Sequence, residues 1–497
     1  MRSKSLFFVV LAALSIRLIP TLITNQPFST DTWPLIRLSR VLLTNPECKI
    51  WDDSLLGGYH NRWPAVILES TLYSALTGLE PAYFFRFVGV IITQTSMLIT
   101  TYVLIRRYRG TYAALLGALT LTTIPSLVIF TSTTLKEVYA YPLALLFVLL
   151  LTEYSLSTLL LAFLVAFSLV VSHPLTPLMT IAFLGSYLFV VWVKRLEGLL
   201  HSVSVRKHLL ALLLLSSTYA TYMSLYGWEG LTFKFGLSDF LAILAVGVAV
   251  YGWYVLMGGD FTKSLLILTP GIISILVSNP RFLGFSLILL YAAPIIALLP
   301  YAWWGRGRGG NGAIAAAILL PISVGTQYIA VISPLLMTIL HRLLNYLFFA
   351  ATAITASLNI RSEKTRKYAV IVLTTSLIVT ATISINLTFY GDPITYYWRY
   401  GDREVVGVSS VVKYVDSKKV CGDVKIKYLI SGVVTVDPLC GLRLSETDLG
   451  VPAILYADNF RFGYALSPTD ILTLQELRIL NLVRDFVYSN GVVYVVR

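Results

Sequence analysis

Charge is the scarcest commodity in this chain. Only 13% of its 497 residues are charged while 57% are hydrophobic, and a soluble domain of this size carries about twice that charged fraction. A soluble globular enzyme is thereby excluded. Cysteine is nearly absent as well, at three residues, with no Cys-x-x-Cys and no His-Glu-x-x-His, so a zinc site has no support from spacing. There is no Gly-rich nucleotide-binding loop, which removes the usual cradle for a nucleotide donor. No internal repeat suggests the paired halves of many secondary transporters.

What the chain has instead is apolar runs of membrane-spanning length from end to end. A hydrocarbon core roughly 30 Å thick requires about 20 apolar residues per helix, and lipid leaves no water for unpaired backbone groups, so the spans are expected to be helices. Counting them gives about 13 transmembrane helices. The first, Leu6–Ile23, has a short basic start in Arg2 and Lys4 and superficially resembles a signal peptide. No small-x-small cleavage site follows it and Arg17 interrupts it, so it reads as an uncleaved span.

Charge placement gives an orientation. With the N-terminus cytoplasmic, inner loops hold Arg106, Arg107 and Arg109, then Lys194, Arg195, Arg206 and Lys207, and later Arg361, Lys364, Arg366 and Lys367. Outer loops beyond the first hold fewer: Lys136, Lys234 and Arg281. The turn at Glu153 alone breaks the pattern. The net charge of +13 is thus explained by basic cytoplasmic loops, without nucleic acid. The expectation is a multi-pass cell-membrane protein in two parts: a bundle over residues 1–389, including a long first outer loop at 24–81, and an extracellular domain over 390–497.

That domain reads as a small α+β fold. Strand-like runs "VKIKYLI", "GVVTV" and "AILYA" precede a helical pattern, "PTDILTLQELRILNLVRDFV", and a hairpin around Asn490-Gly491. Cys421 and Cys440 both fall in it and are either a disulfide or two small buried hydrophobes. In the first loop, Trp33, Arg37 and Arg40 share one face of a helix, with Leu35, Leu38, Val41 and Leu42 opposite. Trp63–Leu76 forms a second amphipathic piece. Both are either helices lying along the membrane surface or ordinary loop helices.

The polar residues expected on the outer side are the candidates for chemistry. The first loop offers Asp31, Arg37, Arg40, Glu47, Asp52, Asp53, His60 and Arg62. Later outer loops offer Lys136 and Glu137 in "TSTTLKEVYAYP", His173 in "SHPLTP" and Arg281 in "SNPRFLG". Ionisable groups kept at membrane depth cost about 2.5–3.5 kcal/mol on insertion scales, so those retained are functional candidates. Each has a plainer use. Asp31 suits a helix cap before Pro34, Asp52-Asp53 a turn before Gly57-Gly58, Lys136-Glu137 a solvated pair, and His173 a turn before Pro174.

"DTWPLIR", Asp31–Arg37, follows the pattern D-x-[WY]-x-x-x-R. It looks like the first acidic motif of the oligosaccharyl transferase catalytic subunit and occupies the same place after the first span. More broadly the layout resembles the GT-C class of membrane glycosyltransferases, archaeal in type. "NRWPAVILESTLYSALTGLEP", "TLKEVYAYPLALLFVLL" and the closing "VYSNGVVYVVR" resemble stretches of archaeal members too. The resemblance implies that Asp31 is the catalytic or metal-binding acid and Arg37 the motif arginine. Glu137 falls where relatives hold a second acidic motif, although "KE" is not their spaced acid pair. It also implies a polyprenyl (dolichyl) phosphate sugar donor, inversion at the anomeric carbon, and a divalent cation such as Mg2+ or Mn2+ at Asp31 and Glu137. The acceptor would be a glycan, lipid or protein. One departure stands out. Where oligosaccharyl transferases carry Trp-Trp-Asp-Tyr-Gly, this chain has "YYWRYG", with Arg399 in place of the acid, which argues against transfer of whole glycans to protein asparagines.

The residue types suit the chemistry by themselves. A carboxylate takes the acceptor proton and opposes positive charge on the sugar, while Arg37, Arg62, Lys136, His173 and Arg281 supply cations and donors for the departing phosphate. The competing expectation is a flippase for lipid-linked glycans, and a third is a scaffold whose outer domain binds a partner.

Overall fold

The computed structural model describes residues 2–153, 155–196, 205–230, 293–304, 345–389, 398–414, 419–430, 433–443, 451–456, 464–467, 470–472, 486–489 and 492–496, with single positions around 249–257 and at 459. They form two compact units interleaved in sequence. The first comprises Met1–Leu14, Ile92–Thr131 and Lys136–Ala381; the second comprises Ser15–Ile91, Ser132–Leu135 and Thr382–Arg497.

In chain order the principal helices are α1 (Arg2–Thr24), α2 (Thr32–Thr44), α3 (Ala65–Thr77), α4 (Gly89–Arg109), α5 (Thr111–Thr123), α6 (Pro125–Phe130), α7 (Lys136–Leu150) and α8 (Leu156–Ser172). They continue with α9 (Leu175–Leu196), α10 (Val205–Tyr222), α11 (Ala293–Trp304), α12 (Leu347–Ser357), α13 (Glu363–Phe389), α14 (Asp402–Tyr414) and α15 (Val424–Leu429). Among the described residues, five helices are long and apolar enough to cross a membrane: Lys4–Thr24, Pro81–Arg109, Leu175–Trp192, Arg206–Gly230 and Glu363–Ile385. The chain is a multi-pass membrane protein. The expected 13 spans also draw on ranges outside the described residues, as do Lys234, Arg281 and most of the helical pattern after residue 472.

Local chemistry explains how the first unit is cut into helices. Arg106, Arg107 and Arg109 sit in the last turn of α4, where cations oppose the helix dipole, and Gly110 turns the chain at φ +82°. Ile124, just before Pro125, is pushed to an extended ψ of 108°, which separates α5 from α6. Ser155 begins α8 with a capping box closed by Thr158. Within the bundle, α8 packs on α7 and α10, and α5 packs on α12. Buried threonines join helices: Thr120 meets Thr355 at 3.3 Å, and Thr380 Oγ1 donates to Thr123 O at 3.0 Å. Glu153, the acid that broke the loop-charge pattern, has a basic partner in Arg107.

The second unit joins the first loop to the C-terminal domain. That domain holds a mixed five-stranded sheet in the order β2-β1-β3-β7-β6, from β1 (Lys419–Gly422), β2 (Thr435–Asp437), β3 (Ala453–Tyr456), β6 (Phe486–Ser489) and β7 (Val493–Val496), with β4 (Tyr464–Ser467) and β5 (Asp470–Leu472) paired separately. The strands β1, β2 and β3 are parallel, and β3, β7 and β6 antiparallel. Val408 and Val411 of α14 pack on Val420, Ile454 and Val495 of the sheet. A disulfide joins Cys421 to Cys440 across a Cα separation of 5.7 Å.

Two expected elements differ. "VKIKYLI" forms α15, not a strand. Asp423 Oδ1 caps it by accepting the Ile426 N–H at 2.9 Å, and Gly422 permits the tight entry, since a Cβ there would stand 3.0 Å from Ile426 Cγ2. Asp470–Leu472, expected to open a helix, is instead a strand paired with β4. In α2, Trp33, Leu35, Ile36, Leu38 and Ser39 are buried, while Arg37 is half-buried and Arg40 and Thr44 are exposed. The open apolar row is on α3, where Leu68, Leu72 and Leu76 are exposed.

Candidate active site

The site residues fall in two groups, one in each unit. In the second unit, the α2 N-terminus carries Asp31 as its N-cap residue. The cap role that its position suggests is not used: its side chain makes no cap hydrogen bond. The helix is started by backbone contacts, Thr32 N–H to Ser29 O and Trp33 N–H to Thr30 O, and Asp31 N–H is received by Ser29 Oγ at 3.3 Å. Thr32 Oγ1 meets Thr133 Oγ1 at 3.1 Å in the interior. The chain around Thr133 approaches so closely that a Cβ on Gly89 would stand 2.6 Å from Thr134 Oγ1, so only glycine fits.

Further along α2, Arg37 is half-buried and its Nε is buried without a hydrogen-bond partner. Burial lowers its guanidinium from the usual arginine range. Its Nη2 lies 4.0 Å from where a Cβ on Gly57 would be, and Gly57 and Gly58 have φ +82° and +77°. The neighbouring cation differs. Arg62 donates to Asp53, which also accepts from Asn61 Nδ2 at 2.8 Å. That hydrogen bond from Arg62 is the leading cause holding Asp53 below the usual carboxylate range. Asp52 caps the same turn by accepting the Ser54 N–H at 3.0 Å. Arg40 pairs with Glu80 on the surface.

In the first unit, Lys136 and Glu137 open α7 and are both buried. Tyr141 donates to Glu137 Oε1 at 2.9 Å. The Tyr141 ring meets Tyr346 edge-on at 5.6 Å. The Tyr346 hydroxyl lies 2.9 Å from Thr176 Oγ1, which is 3.0 Å from His173 Nδ1. His173 is extended ahead of Pro174, at φ −158° and ψ 141°. Because its Nδ1 accepts the Thr176 backbone N–H at 3.3 Å, the proton of the neutral ring sits on Nε2. Two buried hydrogen-bonded groups, Glu137 with Tyr141 and Tyr346 with Thr176 and His173, thus meet through the ring contact of Tyr141 and Tyr346. Tyr346 lies in an apolar stretch, "NYLFF", with no motif around it, and sequence reasoning passes it by.

Among the described residues, no three His, Cys, Asp or Glu side chains gather as metal ligands.

The chain has a GT-C-like fold. No family model matches the sequence, and no curated relative matches it either. The likeness is to solved structures. The oligosaccharyltransferase of Archaeoglobus fulgidus, crystallised tethered with an acceptor peptide containing the NVT sequon, superposes with a TM-score of 0.54 at 11% identity, covering 92% of this chain and 69% of that one. The same enzyme in complex with Zn and sulfate gives a TM-score of 0.52 at 11% identity, covering 99% and 72%. ArnT from Cupriavidus metallidurans bound to undecaprenyl phosphate aligns more loosely, with a TM-score of 0.41 at 14% identity over 99% and 97% of the two chains.

Proposed function

We propose that the protein transfers a sugar from a polyprenyl (dolichyl) phosphate donor to a glycan, lipid or protein acceptor on the outer face of the membrane. The observation that carries this reading is on α2. One helix bears an acid that is not spent as its cap, Asp31, and an arginine whose buried Nε has no partner, Arg37. A buried donor left unsatisfied is a costly feature, and a ligand oxygen would repay it.

In this reading the acceptor hydroxyl attacks the anomeric carbon from the face opposite the donor phosphate. The new C–O bond forms as the bond from carbon to phosphate oxygen breaks. The hydroxyl proton passes to the Asp31 carboxylate, whose charge also opposes the oxocarbenium character of the sugar. The electron pair leaves with the polyprenyl phosphate, and Arg37 receives its oxygens. Glu137, Lys136 and His173 act as a second polar group, and Arg62 and Arg281 are further phosphate contacts. Chemistry then resides in residues 1–389, with 390–497 as an extracellular domain and the N-terminus cytoplasmic.

The Archaeoglobus enzyme has been crystallised with zinc. Chelation tests whether a cation takes part in this protein. Transfer that stops in EDTA and returns with Mg2+ or Mn2+ would add a cation to the carboxylates' role; transfer indifferent to EDTA leaves them acting alone.

The deciding experiment is Asp31→Asn in the full-length protein, expressed in a deletion strain of the source organism. The deletion is expected to remove a terminal sugar from a glycan, wild type to restore it, and Asp31→Asn to fail while folding normally. Near-normal restoration by the variant would remove the central claim. Translocation of a labelled lipid-sugar in proteoliposomes with no acceptor modified would favour a flippase instead.

A further inference from the structure

The turn leading into α2 has an uncommon backbone. Asn25 has φ +56° and Ser29 φ +141°, in a region that residues with side chains rarely occupy. Such a turn persists only where its surroundings over-determine it. Here the surroundings come from the C-terminal domain of the same unit. Asp402 Oδ2 accepts from Asn25 Nδ2 at 2.8 Å, and Asp402 Oδ1 accepts from Gln26 Nε2 at 2.5 Å. On its other side, Asn25 Oδ1 accepts from Arg86.

A second grip lies beyond Asp31. The ring of Tyr400 meets Trp33 edge-on, with centroids 5.4 Å apart and planes at 67°. Tyr400 is fully buried and held from behind. Its hydroxyl donates to Lys425 O at 2.8 Å, and the Lys425 ammonium lies 5.1 Å from its ring centroid. That ammonium is itself wholly buried and donates to Glu404 Oε1 at 3.0 Å, while Glu404 Oε2 accepts the Gly401 N–H at 2.7 Å. A buried ion pair of this kind is poor evidence for added stability; fixing one arrangement is its better-attested use.

We infer that Tyr400 and Asp402 are positioning residues for Asp31. One grips the residues before it and the other grips the helix after it, so the carboxylate is presented by a turn that the C-terminal domain holds in place. The segment "WRYGD" acts through Asp31 and needs no contact with the acceptor. This rests on Asp31 being the base, and it assigns this stretch of the C-terminal domain a part in positioning that base. Truncating either grip frees the turn. Since about 1 Å of misplacement at a reacting group costs on the order of 100-fold in rate, the loss belongs in the chemical step.

The test compares Asp402→Ala and Tyr400→Leu with the conservative Asp402→Asn and Tyr400→Phe, all in the full-length protein. Two quantities are read: the rate at which the missing sugar reappears on glycans after induction in the deletion strain, and hydrogen–deuterium exchange of the purified protein in nanodiscs. Asp402→Ala and Tyr400→Leu are expected to slow sugar addition about 10- to 100-fold. They should also speed exchange of amides 25–33 on the order of tenfold, with β1, β3 and β7 unchanged. Asp402→Asn keeps an acceptor oxygen and Tyr400→Phe keeps the ring, so both should stay within about threefold of wild type. Asp31→Asn combined with Asp402→Ala should be no slower than Asp31→Asn alone.

Unchanged exchange at 25–33, exchange raised equally across the sheet, or a normal rate despite a loosened turn would each overturn the inference. Should Asp31→Asn by itself retain transfer, the base assignment fails and the positioning role falls with it, whereas a dead Asp31→Asn beside a normal Asp402→Ala sinks the positioning role alone.

Discussion

Tyr141 donates its phenolic hydrogen to Glu137 Oε1 across 2.9 Å, one helical turn along α7, with both residues buried. The bond separates two jobs that Glu137 has been assigned. Glu137→Gln keeps an oxygen to accept the Tyr141 hydrogen but removes the charge. If the carboxylate serves the reaction, sugar transfer should fall by about 100-fold or more with little change in thermal stability. Tyr141→Phe should instead cost about 1 kcal/mol of stability, read from the unfolding midpoint, with a smaller loss of activity. Equal losses of stability in both variants and full activity in Glu137→Gln would mark the pair as structural.

Arg37 and Arg62 should part company under truncation. Arg37→Ala removes a guanidinium with an unpartnered buried Nε, so its effect should appear in the donor KM, raised roughly 10- to 100-fold, as expected for losing hydrogen bonds to a charged group. Arg37→Lys should recover only part of this, because an ammonium cannot present the planar fork. Arg62→Ala should loosen the Asp53 turn, since Arg62 already donates to Asp53, and raise the donor KM less than Arg37→Ala does. Steady-state kinetics with a polyprenyl-phosphate sugar, varied at saturating acceptor, distinguishes the two.

The same turn should respond to acid. The hydrogen bond from Arg62 lowers Asp53 below its ordinary value of 3.8. A carboxylate depressed in the fold contributes stability above that value, and the contribution is lost as pH falls through the lower folded value. Amides 52–62 are therefore expected to keep their exchange protection at pH 5 and to lose it selectively below about pH 3.8. In Arg62→Ala the loss should begin at higher pH. Asp53 is substantially exposed, so the effect is local and does not extend to global unfolding.

The Cys421–Cys440 bond closes a loop of 19 residues in the C-terminal domain. Its removal by Cys421→Ser with Cys440→Ser should destabilise that domain by about 3 kcal/mol, seen as faster limited proteolysis after residue 390 in the otherwise intact protein. The Tyr464 hydroxyl lies 3.6 Å from Cys440 Sγ and 3.7 Å from Cys421 Sγ. Burial, with Asp423 and Asp437 nearby, raises that phenol well above its usual range. A raised folded value means stability present below about pH 10 and lost as pH climbs through it, so the same domain should open first in alkali, followed by tyrosinate absorbance.

Much of this was legible in local chemistry. The α2 start could be read from "STDTWPLIR", because a turn followed by an amphipathic run has a short-range signature, and β3 and β7 from strand-like apolar runs bounded by turn residues. The α15 helix could not. Val424, Ile426, Tyr428 and Ile430 alternate as a strand would, yet Asp423 caps a helix there and Lys425 is drawn inside by Glu404, whose identity as a partner has no mark in the residues around either one. Reading Asp31 as a side-chain cap failed for a related reason: position makes it the N-cap residue, but its side chain makes no cap hydrogen bond.

The amino-acid sequence by itself determined the solvent in which this protein folds and the kind of element that spans it, because apolar run length and the absence of charge answer to the bilayer alone. It also named Asp31 and Arg37 as candidates. Only the tertiary structure decided what holds them. Asn25 meets Asp402 from the far end of the chain, Trp33 meets Tyr400, and Tyr346 meets Thr176. Contacts between residues so distant in sequence are paid for by burial of the whole unit, which no local pattern records.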